Sequence, residues 1–177
     1  MAHLVRAAGA ILDVNELLVI GSQSILGSFT EEQLPPPAIL SIEADLLTRD
    51  GSPESADLID GTIGELSPFH DTFGVYAQGV DRTTARLPSG WEDRLVRFER
   101  ADTGGVVAWC LEPHDLWVAK QLAGRPQDRT FCRAVLSHGL LDTDELLRRI
   151  DAVDATAGER HLLRGLAVAR SGPGGDA

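Results

Sequence analysis

The segment Ala38 to Leu47 reads as a strand, with apolar and polar residues alternating from Leu40 to Leu46. Leu40, Ile42, Ala44 and Leu46 fall on one side of an extended chain, and Ser41, Glu43 and Asp45 on the other. A period of two belongs to a β-strand with one face on a core. A helix would scatter the same residues around its circumference. The segment therefore demands a sheet covered on at least one face.

Other strands are shorter. Leu17 to Ile20 is an apolar run that ends in a tight turn at Gly21-Ser22. Phe73–Val80, Leu95–Phe98 and Val106–Leu111 read as further strands, with a turn at Leu87–Trp91. Leu4–Leu12 has helical spacing, and Gln23–Leu26 reads as the start of a helix. Phe29–Pro37, with three consecutive prolines, reads as a loop, and so does His70-Asp71 after Pro68. Ser52, Pro53 and Glu54 open a helix that runs to Ile63.

From Glu112 onward the pattern is helical. Pro113 and Gly124 bracket one helix, and Pro126 and Gly139 the next. Asp142 to Glu145 has the spacing of a capping box, and Glu159–Arg170 reads as a fourth helix. The expected layout is an α/β (α+β) core over 1–111, a helical part over 112–170 and a disordered glycine-rich tail over 171–177.

Composition limits the functions such a fold can serve. Two cysteines, Cys110 and Cys132, share no metal-binding spacing, so neither a disulfide framework nor a cysteine zinc site is expected. Five histidines show no HxxxH or HxH spacing. No run has the length of a membrane span and no leader pattern opens the chain, so a cytoplasmic location is expected. The net charge of −11 argues against a general nucleic-acid coat. The charge is uneven, though. Thr30–Gly74 holds ten acids and one arginine, whereas Lys120–Arg133 holds four basic residues and one acid.

Three features carry chemistry. The Gly21-Ser22 turn, between a strand and a helix, suits phosphate oxygens, although a structural turn has the same sequence. Glu43 and Asp45 lie side by side on one strand face, where they repel unless a cation sits between them. Mg²⁺ is a hard cation suited to such oxygen donors; a water-facing strand is the alternative reading. The third feature is Lys120, the only lysine beside fifteen arginines, followed by Arg125 and Asp128. A lysine next to a buried helical stripe either snorkels or points into a cleft, where it would neutralise phosphate charge. Asp128 suits either helix capping or catalysis. Ser22, His70 and Asp71 can be drawn as a hydrolytic triad, but no GxSxG elbow surrounds Ser22. Trp91, Trp109 and Trp117 read as core or interface residues.

The order strand, Gly-Ser, acidic-x-acidic strand, then helices with a lysine resembles the nucleotidyltransferase fold of the polymerase-beta superfamily. The segment Leu111-Glu112-Pro113-His114-Asp115-Leu116, with Lys120, Ala123-Gly124-Arg125 and Asp128, resembles the AbiEii/MenT-type nucleotidyltransferase toxins and related uncharacterised domains. The resemblance implies that Gly21 and Ser22 hold the nucleoside triphosphate, with Lys120 on its phosphates; Arg125 is the candidate that helps to hold the nucleotide substrate. It implies that Glu43 and Asp45 bind catalytic Mg²⁺ and that Asp128 completes the site. The implied activity is transfer of a nucleoside monophosphate to a tRNA 3′ end by the toxin of a toxin–antitoxin pair, with a cognate antitoxin as partner. The chain departs from the pattern in having a glutamate as first carboxylate and a long gap before it. A third metal-binding carboxylate is not obvious, Asp81 being the candidate. The alternative is a catalytically degenerate binding module on the same fold.

Overall fold

The computed structural model describes residues 1–169. The tail expected over 171–177 lies outside the described residues. The chain begins with helix α1 (Ala2–Leu12) and strand β1 (Glu16–Val19), followed by a 3-10 turn at Ser22–Gly27. A short 3-10 turn (Glu31–Gln33) and helix α2 (Pro36–Ile39) lead to β2 (Glu43–Leu47). Next come α3 (Pro53–Ile63), α4 (Pro68–Phe73), β3 (Tyr76–Gly79), β4 (Val96–Phe98) and β5 (Val107–Cys110). The last elements are α5 (Pro113–Ala123), α6 (Pro126–Ser137), α7 (Thr143–Ala152) and α8 (Ala157–Val168).

The five strands form one mixed sheet in the order β3-β2-β1-β5-β4. β1 is parallel to β5 and antiparallel to β2, and β2 is parallel to β3. Alternation sorts the side chains into two cores. Leu17, Val19, Ala44 and Leu46 meet α1 and α3 through Leu4, Val5, Ala8, Ile59 and Ile63. Leu18 and Leu47, on the opposite face, share a cluster with Leu116, Trp117, Phe131, Leu146 and Leu163 of the helical part. This is the mixed α/β architecture expected from the sequence, and the helical part shares a core with the sheet.

Four local readings need correction. Strand β2 begins at Glu43, not Ala38, because Pro36 and Pro37 start a helical turn that carries Ala38 and Ile39. Leu40 and Ile42 are consequently 73% and 48% exposed rather than part of the core face. His70-Asp71 lies in α4, with the Ser67 side chain accepting from His70 N, and not in a loop. Strand β3 starts at Tyr76 because α4 extends through Phe73 and ends at the left-handed Gly74. The helix expected after Gly21 is a 3-10 turn.

The conspicuous Glu112-Pro113-His114-Asp115 segment joins the halves. Glu112 caps α5 by accepting from the backbone amides of His114 (3.1 Å) and Asp115 (3.4 Å). His114 Nε2 accepts from the Asp142 amide at 2.9 Å, leaving Nδ1 to carry the proton toward Glu112. Asp115 is fully buried and paired with Arg94 at 2.9 Å and Arg149 at 3.2 Å. Removal from water pushes its carboxyl pKa upward against the pull of both guanidiniums.

Candidate active site

The carboxylates emerge on the sheet face that also carries Leu47, the face covered by the helical part. Beside them a cleft of about 390 Å³ opens between β2, β3 and α5. Gly21, Asp45, Gln78, Lys120 and Arg125 supply its polar wall together with Thr84 and Arg86. Ile20, Ala85, Leu116, Ala119 and Leu122 supply the apolar wall.

Gly21 has an extended backbone that any residue adopts, so conformation alone does not call for glycine there. Space does. A β-carbon at position 21 would stand 1.4 Å from Asp45 Oδ2. The turn thus presses its backbone directly onto the carboxylate. Ile20 N donates to the Asp45 carbonyl at 3.2 Å, and the Gln23 amide reaches the Ser41 carbonyl, so both ends of the contact are tied. Ser22 is half-buried at the start of the 3-10 turn and does not line the cleft.

Asp45 lies in a poor solvent for charge. Burial, then the neighbouring Glu43 carboxylate, push its pKa up to about 6, while Lys120 and Arg125 pull the other way. Glu43 Oε2 accepts from the Tyr76 hydroxyl at 2.8 Å. Burial and that carboxylate push the Tyr76 phenol up to about 12. Glu43 opens into a smaller depression, of about 290 Å³, shared with Asp60, Glu65, Tyr76 and Gln78.

Lys120 is buried on α5, with its ammonium 2.7 Å from Asp128 Oδ1 and 4.8 Å from the Phe131 ring centre. Asp128 Oδ2 accepts from Arg125 Nε at 2.6 Å. Burial works against ionisation of Asp128, yet the Arg125 and Lys120 hydrogen bonds outweigh it and hold the carboxyl below its ordinary value. Asp128 therefore holds the two cations rather than capping α6, whose start has no side-chain cap. Arg125 keeps 61% of its side chain exposed at the mouth.

Asp81, the candidate third carboxylate, is exposed and folded back on Thr83, accepting from its amide and hydroxyl at 2.6 Å. The position facing Asp45 is Gln78 instead. Among the described residues no group of three His, Cys, Asp or Glu could hold a metal ion. No histidine bonds to the Ser22 hydroxyl there either, and His70 Nδ1 accepts from Leu66 N. Sequence reading missed Tyr76, Gln78, Thr84 and Arg86. Gln78 follows the buried Ala77 in a strand, and that alternation is the signal that would have exposed it. Arg86 is held by Glu159 of α8 at 2.6 Å, a contact between distant segments with no local signature.

Over residues 3–169 the sequence matches the family described as a nucleotidyltransferase of unknown function (DUF6036). The chain belongs to this family. Membership of this nucleotidyltransferase family agrees with a strand-turn-carboxylate cleft and with a nucleotide as ligand. The family description does not extend to the AbiEii/MenT toxin type. No curated protein and no solved structure matches the chain. Among the described residues no helix is long and apolar enough to cross a membrane.

Proposed function

We propose that this nucleotidyltransferase moves a nucleoside monophosphate from a triphosphate to the 3′ end of a tRNA, with Mg²⁺, and acts as the toxin of a toxin–antitoxin pair. The observation that carries the reading is the contact of Gly21 with Asp45 in the same cleft as Lys120. A backbone turn, a carboxylate and a buried cation meet where a polyphosphate needs all three.

Glu43 and Asp45 fit a divalent cation, because they are adjacent oxygen donors that repel one another without one. Mg²⁺ bound there would neutralise charge on the triphosphate. The chain's own groups do the rest. The Gly21 backbone, which lines the cleft, holds phosphate oxygens. Lys120 offsets the negative charge that builds on the departing pyrophosphate as the acceptor hydroxyl attacks the α-phosphorus in line. Asp128 aims that ammonium, and Arg125 grips the phosphates from the mouth.

An RNA acceptor is supported by α6. Arg125, Arg129 and Arg133 succeed one another at four-residue spacing and all three are exposed. Arg129 and Arg133 have no carboxylate partner among the described residues. The track runs about 12 Å from the cleft at 1.5 Å per residue, toward the phosphates of a bound strand. The toxin role and a cognate antitoxin extend the resemblance of the Lys120–Asp128 stretch.

The test is incubation of the purified protein with each labelled nucleoside triphosphate, Mg²⁺ and total tRNA. Transfer of label to tRNA, lost in Asp45→Asn, is expected. Absence of transfer with all four nucleotides would sink the reading. The second reading, a degenerate binding module acting through a protein partner, is favoured by Gln78 facing Asp45. It expects neither triphosphate nor Mg²⁺ to raise the thermal midpoint, whereas ligand at a hundredfold excess over Kd stabilises by about 2.7 kcal/mol.

A further inference from the structure

β3 runs parallel to β2 with Tyr76 paired to Glu43 and Gln78 paired to Asp45. Alternation puts Tyr76 and Gln78 on one face of β3. The Tyr76 hydroxyl reaches Glu43, so that face is the one bearing the carboxylates. Gln78 lines both the cleft and the depression beside Glu43, and its amide has no hydrogen-bond partner among the described residues. A neutral side chain thus faces Asp45 from the neighbouring strand, on the face that bears both carboxylates.

Counting donors shows what this does. Asp45 offers two oxygens, Glu43 one beyond that taken by Tyr76, and Gln78 one amide oxygen. An octahedral cation that keeps part of its water shell is served by such a set. Two cations about 4 Å apart need bridging and flanking anionic ligands to overcome their mutual repulsion. Asp60 and Glu65 share the outer depression with Glu43, but Asp60 accepts from Gly79 N and, among the described residues, no third carboxylate groups with Glu43 and Asp45 to hold a metal ion. Two carboxylates are too few for a second cation, and Lys120 and Arg125 add positive charge to the cleft.

We infer that the nucleotide-free site holds a single divalent cation and that Gln78 is the residue limiting it to one. The inference rests on the metal-binding reading of Glu43 and Asp45. A second cation then enters only with the triphosphate, whose oxygens supply the missing charge.

Titration with Mn²⁺ alone, counting free ion by electron paramagnetic resonance, tests this without any turnover. Asp45→Asn serves as the blank for weak surface binding to a chain of net charge −11. One Asp45-dependent Mn²⁺ is expected in the wild type and two in the isosteric Gln78→Glu. Gln78→Asp is run in parallel, so that a failure of one variant to fold, checked by circular dichroism, leaves the other. Two Asp45-dependent ions in the wild type, or one in both folded variants, overturns the inference while the metal site stands. No Asp45-dependent ion in the wild type removes the metal site and the inference together.

Discussion

The Lys120 ammonium lies 2.7 Å from Asp128, whose second oxygen is held by Arg125 at 2.6 Å. The slot is walled by Phe131 and excludes most solvent. A compact ammonium fits it, while a planar guanidinium is wider and needs a different fork of acceptors. Lys120→Arg therefore keeps the charge and loses the geometry. Its kcat should fall by on the order of a hundredfold or more, with the fold retained. Steady-state transfer rates beside a thermal melt check this, and an arginine variant within threefold of wild type would contradict it.

Gly21→Ala introduces a β-carbon where Asp45 Oδ2 now stands. Either the turn or the carboxylate has to move, at a cost of about 1–3 kcal/mol. Transfer should fall roughly a hundredfold, since displacement by 1 Å is enough for that. The double variant Gly21→Ala/Asp45→Ala should be more stable than the sum of the singles, because the closest atoms are removed and only the Asp45 β-carbon, at 3.1 Å, remains to give way. Urea denaturation of the four proteins measures the coupling, and strict additivity would place the strain elsewhere.

What could be read from the sequence was local. Pro53, Pro113 and Pro126 announced helix starts because a cap and a fixed φ act within one turn. Asp45 and Lys120 stood out because alternation and a lone lysine are visible in one dimension. Leu40 and Ile42 misled, since their alternation continues that of β2 while the prolines upstream impose a turn of helix. Gln78 and Tyr76 gain meaning only from pairing with β2, and Asp115 only from Arg94, which is 21 residues away. Tertiary placement decides such residues, and no period encodes it.

Asp115 is fully buried between Arg94 and Arg149 and ties the end of the sheet to α5 and α7. Asp115→Ala leaves two guanidiniums short of their anion and should destabilise the fold by about 3–5 kcal/mol. The effect is one of stability, since Asp115 does not line the cleft, so residual folded protein should bind nucleotide normally. Chemical denaturation and nucleotide titration at low temperature separate the two. A loss below about 1 kcal/mol would mean that the Glu112 cap and the apolar core suffice there.

Asp45 makes stability fall as pH rises. Its carboxyl titrates near 6 in the folded chain and at the ordinary 3.8 when exposed, so between these values the folded state binds more protons. Stability contributed by the protonated form is complete below about pH 4, declines through pH 6 and is gone above it. Asp45→Asn cannot ionise and escapes that decline. Without divalent cations the variant should be more stable than wild type at pH 7 to 8, by up to about 3 kcal/mol. The advantage should vanish near pH 4. Urea denaturation in chelator from pH 4 to 8 reads the difference directly. Parallel curves for the two proteins would show that neither burial nor the Glu43 charge acts on Asp45.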